Sequence, residues 1–172
     1  YPTLDSLAVT GILVDGEGHR FADEGRGGVY LANHVAKLAD PGSAMLICDQ
    51  EAWDTVGRDY IFPPNPNLEL QGGTIIRAAD LATLARMLGM QDTALTTTVH
   101  DYNRAILSGA LDWPEAVRSG TPRALERDLL AIPLSAGITH TMGGLKVDGH
   151  MRVVDADGEP IIGLFAIGSS TG

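Results

Sequence analysis

Apolar and polar positions alternate between two regimes along the chain. Leu7 to Val14 is apolar and β-branched, the turn residues Asp15-Gly16-Glu17-Gly18 follow, and His19-Arg20-Phe21 returns, so residues 7–22 are expected to form a hairpin. Val29, Leu31, Ala32, Val35, Ala36 and Leu38 fit a helix over 29–38, closed by Asp40-Pro41-Gly42. Ala44 to Cys48 has the unbroken apolar character of a buried strand, and Gln50 to Val56 fits a short helix. The proline-dense run Phe62 to Asn67 is expected to be loop.

The clearest helical signal lies in residues 78–108. Asp80 caps a helix carrying Leu81, Leu84, Ala85 and Leu88, which stops at Gly89. A second helix starts at Asp92, with Leu95, Val99, Tyr102 and Ile106 on one stripe and Gly109 beyond it. Residues 113–128 are polar and irregular. Strands are expected at Leu129–Leu134, Gly144–Asp148 and Met151–Val154. The turn Asp155-Ala156-Asp157-Gly158 then leads to a last strand, Ile161–Ile167, apolar enough to expect neighbours on both faces. The class is α+β. The opening Tyr1-Pro2 and the close on a glycine- and serine-rich turn suggest a piece of a larger protein.

Composition narrows the function. The chain has 172 residues, 44% hydrophobic and 20% charged, which is globular and not disordered. Its net charge of −10 offers no positive face for a phosphate backbone, so no nucleic-acid partner is expected. No apolar run approaches the ~20 residues that cross a bilayer. With no signal-like leader, a cytoplasmic location is expected. The single cysteine, Cys48, sits in an apolar run and reads as an inert buried thiol.

Gly16-Glu17-Gly18-His19-Arg20-Phe21 imitates a dinucleotide-binding loop, but Phe21 stands where the third glycine belongs and no helix follows directly. A hairpin turn explains it better. The five histidines, His19, His34, His100, His140 and His150, make no metal-ligand spacing, and no metal centre is expected. His140 stands apart. It lies between strands in Gly137-Ile138-Thr139-His140-Thr141-Met142-Gly143-Gly144, where bare backbone permits close approach to another group. From there its ring can bind a substrate oxygen or serve structure. Arg20 and Arg26 bracket Phe21-Ala22-Asp23-Glu24-Gly25. Taken alone they suit a surface ion pair of little worth, with an anion clamp or proton shuttle as the alternative.

Four segments together resemble a known family: Gly11-Ile12-Leu13-Val14-Asp15 with Gly18-His19-Arg20-Phe21 and Asp23-Glu24; Leu88-Gly89-Met90 with Ala94-Leu95, Val99 and Tyr102-Asn103; Gly137 to Leu145; and Gly163-Leu164-Phe165-Ala166-Ile167-Gly168. They are similar, in order, to the flavoprotein family of fumarate reductase and succinate dehydrogenase, which also holds L-aspartate oxidase, tricarballylate dehydrogenase, urocanate reductase and the 3-ketosteroid dehydrogenases. The resemblance implies an FAD-dependent oxidoreductase acting on a small carboxylate or ketone, with residues 1–138 as a capping domain over the substrate. Residues 139–172 would be a partial FAD-binding segment that pairs with the rest of its own FAD domain, and the piece alone would hold no FAD.

By the same resemblance His140 hydrogen-bonds and polarises a substrate carboxylate, and Thr141, Met142, Gly143 and Gly144 run past the flavin. Gly168 and Ser169 fall where the family's last strand meets FAD, with Ser169 in place of the usual glutamate. Arg26 is the nearest match to the proton-transferring arginine, although it follows Glu24 by fewer residues than is usual. Two alternatives remain: a non-catalytic binding module on the same fold, and a ketosteroid-dehydrogenase type of activity using Tyr30, Tyr60 or Tyr102.

Overall fold

A computed structural model describes residues 4–58, 66–90, 93–109, 122–137 and 143–172. The elements are α1 (Leu4–Leu7), β1 (Ile12–Val14), α2 (Gly28–Val35), β2 (Met45–Asp49), α3 (Gln50–Asp54), α4 (Pro66–Leu70), β3 (Ile76–Ala78), α5 (Leu81–Met87), α6 (Leu95–Ser108), β4 (Leu129–Pro133), β5 (Arg152–Val154) and β6 (Pro160–Phe165). They fall into two compact units, Tyr1–Ala136 and Gly137–Gly172.

In the first unit four antiparallel strands lie in the order β1-β2-β4-β3, with Ile12 opposite Ile47, Leu46 opposite Ile132 and Ile76 opposite Ala131. The strands read as continuous apolar runs because both faces of the sheet are covered. Alternate residues Ile12, Val14, Ile47, Leu129 and Ala131 pack against Leu84 of α5 and Leu95, Val99 and Tyr102 of α6. The intervening Leu13, Leu46, Cys48, Leu130 and Ile132 pack against Leu31 and Val35 of α2 and Trp53 of α3. The result is a helix–sheet–helix sandwich with the sheet as its middle layer.

The paired helices follow the sequence closely. Asp80 accepts a hydrogen bond from the Thr83 N–H at 2.7 Å and caps α5. Leu95, Val99 and Tyr102 of α6 are buried, Ile106 is half-buried, and Gly109 takes the left-handed conformation that ends the helix.

Several expectations are corrected. Leu7 to Thr10 is helical: the Thr10 hydroxyl closes the turn on the Leu7 carbonyl at 2.7 Å, and strand begins only at Ile12. A short, largely buried apolar run carries no periodicity to separate helix from strand. Arg20 returns as a single bridge to Val14, and α2 stops at Val35 instead of Leu38. Pro66 and Asn67 open α4 instead of lying in loop, since proline is tolerated in a first helical turn, while Phe62–Asn65 lie outside the described residues. Asp92 also lies outside them, and α6 is described from Leu95.

The second unit is built on the β5–β6 hairpin, whose turn at Asp155–Gly158 has the Asp155 N–H on the Glu159 carbonyl at 2.9 Å. Gly144–Asp148 forms two single bridges, Leu145 with Thr171 and Val147 with Val153, instead of a strand. Strand β6 is bare among the described residues: Ile162 is fully exposed and Phe165 mostly so, as is Ile167 just beyond it.

Candidate functional site

The segment carrying Arg26 is fixed from below. In the Asp15–Gly18 turn, Asp15 Oδ1 accepts the N–H groups of Glu17 at 3.0 Å and His19 at 2.9 Å. The turn is docked on the start of α6 by the Ala94 N–H on the Glu17 carbonyl at 3.1 Å and the Thr98 hydroxyl on the Gly18 carbonyl at 2.8 Å. Gly18 has φ +82°, and a Cβ there would sit 2.5 Å from the Leu95 nitrogen, so this turn-to-helix contact requires glycine.

The returning chain carries Arg20 inward. Its side chain is 5% exposed and that of Glu24 is 0% exposed, so the pair is buried, which corrects the surface ion pair expected from the sequence. Glu24 Oε1 accepts from the Leu13 N–H at 2.7 Å and from Arg20 Nε at 3.0 Å; Oε2 accepts from Arg20 Nε at 3.1 Å and from Nη2. The Arg20 guanidinium carbon lies 5.5 Å from the centre of the Tyr102 ring. Burial raises the Glu24 carboxyl above its usual range, while Arg20 and the Leu13 N–H pull it back. Burial, with the charge of Glu24 added, likewise raises the Tyr102 phenol.

Beyond this pair, Asp23 accepts the Gly25 N–H at 3.1 Å and caps a 3-10 turn, Glu24–Arg26. Gly27, at φ +82°, then turns the chain into α2. Arg26 is exposed, with its guanidinium carbon 4.5 Å from the centre of the Tyr30 ring. One turn further along α2, His34 stacks on Tyr30 with ring centres 3.9 Å apart, its Nδ1 2.9 Å from the Tyr30 carbonyl. Among the described residues no carboxylate forms a salt bridge with Arg26. It is a cation presented on a glycine-flanked turn, suited to an anionic ligand or to proton transfer.

In the second unit the structure brings four of the expected cofactor residues together. Gly143 and Gly144 run beside Ser170–Gly172, with the Leu145 N–H on the Ser170 carbonyl at 2.9 Å and the Gly172 N–H on the Leu145 carbonyl at 3.3 Å. A Cβ at Gly144 would lie 2.6 Å from the Ser170 oxygen, so this close pairing of backbones excludes any side chain there. Gly168 and Ser169 form the adjoining turn, Gly168–Ser170, and both are exposed. His140, Thr141 and Met142 lie outside the described residues, as does Tyr60. Of the other tyrosines, Tyr102 is buried and Tyr30 is half-buried under Arg26. An open groove of about 680 Å³ along α6, lined by Val99, Asn103, Leu107 and Leu125 among others, holds none of the expected site residues.

The described residues thus form a mixed helix-and-sheet fold, with an arginine displayed in one unit and paired glycine backbone in the other. Comparison with known families makes this specific: residues 8–172 match the family described as FAD binding domain, and the chain belongs to it. The resemblance read from the motifs is borne out. The chain is 33% identical over 162 residues to an NADH:acrylate oxidoreductase of Vibrio harveyi, covering 94% of this chain and 16% of that protein. It is 34% identical over 165 residues to a fumarate reductase (cytochrome) of Shewanella frigidimarina, covering 94% of this chain and 27% of that protein. Among solved structures, the open conformation of a flavocytochrome c3 fumarate reductase superposes with a TM-score of 0.74 at 26% identity, covering 98% of this chain and 28% of that one. The chain therefore spans well under a third of the length of these relatives.

Proposed function

We propose that the protein carrying this chain is an FAD-dependent oxidoreductase that moves a hydride between flavin and a carbon–carbon bond next to a carboxylate or carbonyl. The observation that carries this reading is the family match over residues 8–172, which includes the whole His140–Gly144 block. In this reading residues 1–138 cap the substrate, and residues 139–172 belong to the FAD-binding domain. The exposure of β6 supports that division, because apolar side chains as exposed as Ile162 and Phe165 suit a strand covered by further parts of such a domain.

The residues present fit the cofactor. Gly143 and Gly168 leave open backbone near which a flat ring can lie, since a Cβ at either would meet nothing within 4 Å, and Thr141, Met142 and Ser169 adjoin them in sequence. FAD, when bound, supplies the hydride chemistry. His140 donates a hydrogen bond to a substrate oxygen and stabilises the charge that builds there. Arg26 holds the substrate anion or moves the proton, helped by the lack of a competing salt bridge among the described residues.

The test compares wild type, His140→Ala and Arg26→Lys in the full-length, flavin-loaded protein. Loss of a donor aimed at developing charge lowers kcat by roughly 10²–10³, and lysine does not replace an arginine used for its fork geometry. Normal turnover by His140→Ala in a flavin-loaded protein would remove the catalytic assignment and leave the family alone.

A further inference from the structure

We propose that Glu24 is the positioning residue for Arg26: its carboxylate, clamped by Arg20 and the Leu13 N–H, holds the Glu24–Arg26 turn in the conformation that lays Arg26 on Tyr30. The inference rests on the reading of Arg26 given above.

The turn is short and glycine-rich. Gly25, Gly27 and Gly28 surround Arg26, and glycines give the backbone its widest freedom. Within the turn the Gly25 N–H donates to Asp23 Oδ1 and the Arg26 N–H to the Asp23 carbonyl, at 3.1 and 3.2 Å. Glu24 ties the turn to the body of the fold. Its two oxygens receive three N–H donors, from the buried backbone of β1 and from a guanidinium lying over a ring of α6. An ionised carboxylate accepts at both oxygens and donates at neither, which is the chemistry this clamp demands. Glutamine has the same shape but turns an NH₂ toward donors and leaves the buried Arg20 charge without its counter-charge. One residue, Gly25, separates the anchored side chain from Arg26. A shift at Glu24 therefore acts on the turn one residue from the backbone that carries the guanidinium.

The experiment uses the full-length flavin-loaded protein, with fumarate as the probe and reduced methyl viologen as electron donor. Misplacement of a reacting group by about 1 Å costs up to roughly 10²-fold in rate, so Glu24→Gln and Arg26→Ala are each expected to lower kcat by roughly 10- to 100-fold. The double variant Glu24→Gln/Arg26→Ala is expected to fall no lower than Arg26→Ala alone, because both changes remove one function. Val99→Ala, a core truncation outside this network, loses stability and keeps kcat, which separates positioning from mere destabilisation. Should Glu24→Gln fail to fold, Arg20→Met/Glu24→Leu removes both buried charges together, and the same loss of kcat is expected from it. A crystal structure of the folded variant decides independently of substrate: the Arg26 guanidinium should leave the face of Tyr30.

Wild-type kcat in the Glu24 variant where Arg26→Ala is impaired overturns the inference alone. So do additive losses, or an Arg26 still seated on Tyr30. Normal kcat in Arg26→Ala overturns the reading of Arg26, and the inference falls with it.

Discussion

Replacing Arg20 by methionine strands a carboxylate in the core, and the cost follows from the burial of both partners. Methionine fills most of the volume of the arginine stem, so packing against Tyr102 is largely kept and the charge is what disappears. The Glu24 side chain is 0% exposed, so water cannot take over from the guanidinium. Breaking such a pair from one side costs about 3–5 kcal/mol. The cost depends on pH in a definite direction. Burial already holds the Glu24 carboxyl above its usual range, and without Arg20 it rises further. A group whose folded pKa exceeds its unfolded one favours the folded state at low pH, and that contribution is lost as pH rises through the folded value. Arg20→Met should therefore lag wild type by the full amount on the alkaline side, with the gap closing on the acidic side as Glu24 takes up a proton. Urea melts of both 172-residue proteins, followed by tryptophan fluorescence across this range, measure the gap, and other titrating groups cancel in the difference. Arg20→Met/Glu24→Leu, with both charges gone, should lie within about 1–2 kcal/mol of wild type with no such pH slope. A gap that is constant with pH, or below about 1 kcal/mol at every pH, would refute the buried-pair argument.

Val99→Ala should cost about 1–4 kcal/mol in the same melts, because Val99 is fully buried between α6 and the sheet; an unchanged midpoint would place that stripe on the surface. Burial, with the neighbouring Asp49 charge, pushes the Cys48 thiol up to about 12. Ellman's reagent should therefore label it only at the rate of unfolding, and fast stoichiometric labelling of native protein would contradict its place in the core. The 172-residue chain alone should retain no FAD on purification, since its one glycine-rich imitation of a dinucleotide loop is the hairpin turn docked on α6. Stoichiometric bound flavin would sink that expectation.

Where burial and local chemistry agree, the sequence is a good guide. The unbroken apolar run at Ala44–Cys48 announces the central strand β2, and Asp80 with the Leu95–Val99–Tyr102 stripe announces α5 and α6. Leu7–Thr10 misleads because so short and largely buried a segment shows no polar face from which to read a period. The fate of Arg20 and Glu24 is decided by tertiary structure: the same four-residue spacing suits a solvated pair, and here the pair is buried, bonded to the Leu13 N–H of β1 and lying beside Tyr102 of a helix much later in the chain. The second unit shows the converse case, with β6 apolar in sequence yet bare among the described residues. Gly143, Gly144, Gly168 and Ser169 were legible as a group only through the family resemblance, since their pairing across Leu145 and Thr171 joins segments distant along the chain.

The most direct measurement is an anaerobic flavin spectrum of the full-length protein. The account predicts a yellow protein whose flavin, once reduced by dithionite, is reoxidised by a compound with a carbon–carbon double bond next to a carboxylate or carbonyl, from a panel of fumarate, acrylate and a 3-ketosteroid. A colourless protein, or reduced flavin that none of these compounds reoxidises, would contradict it.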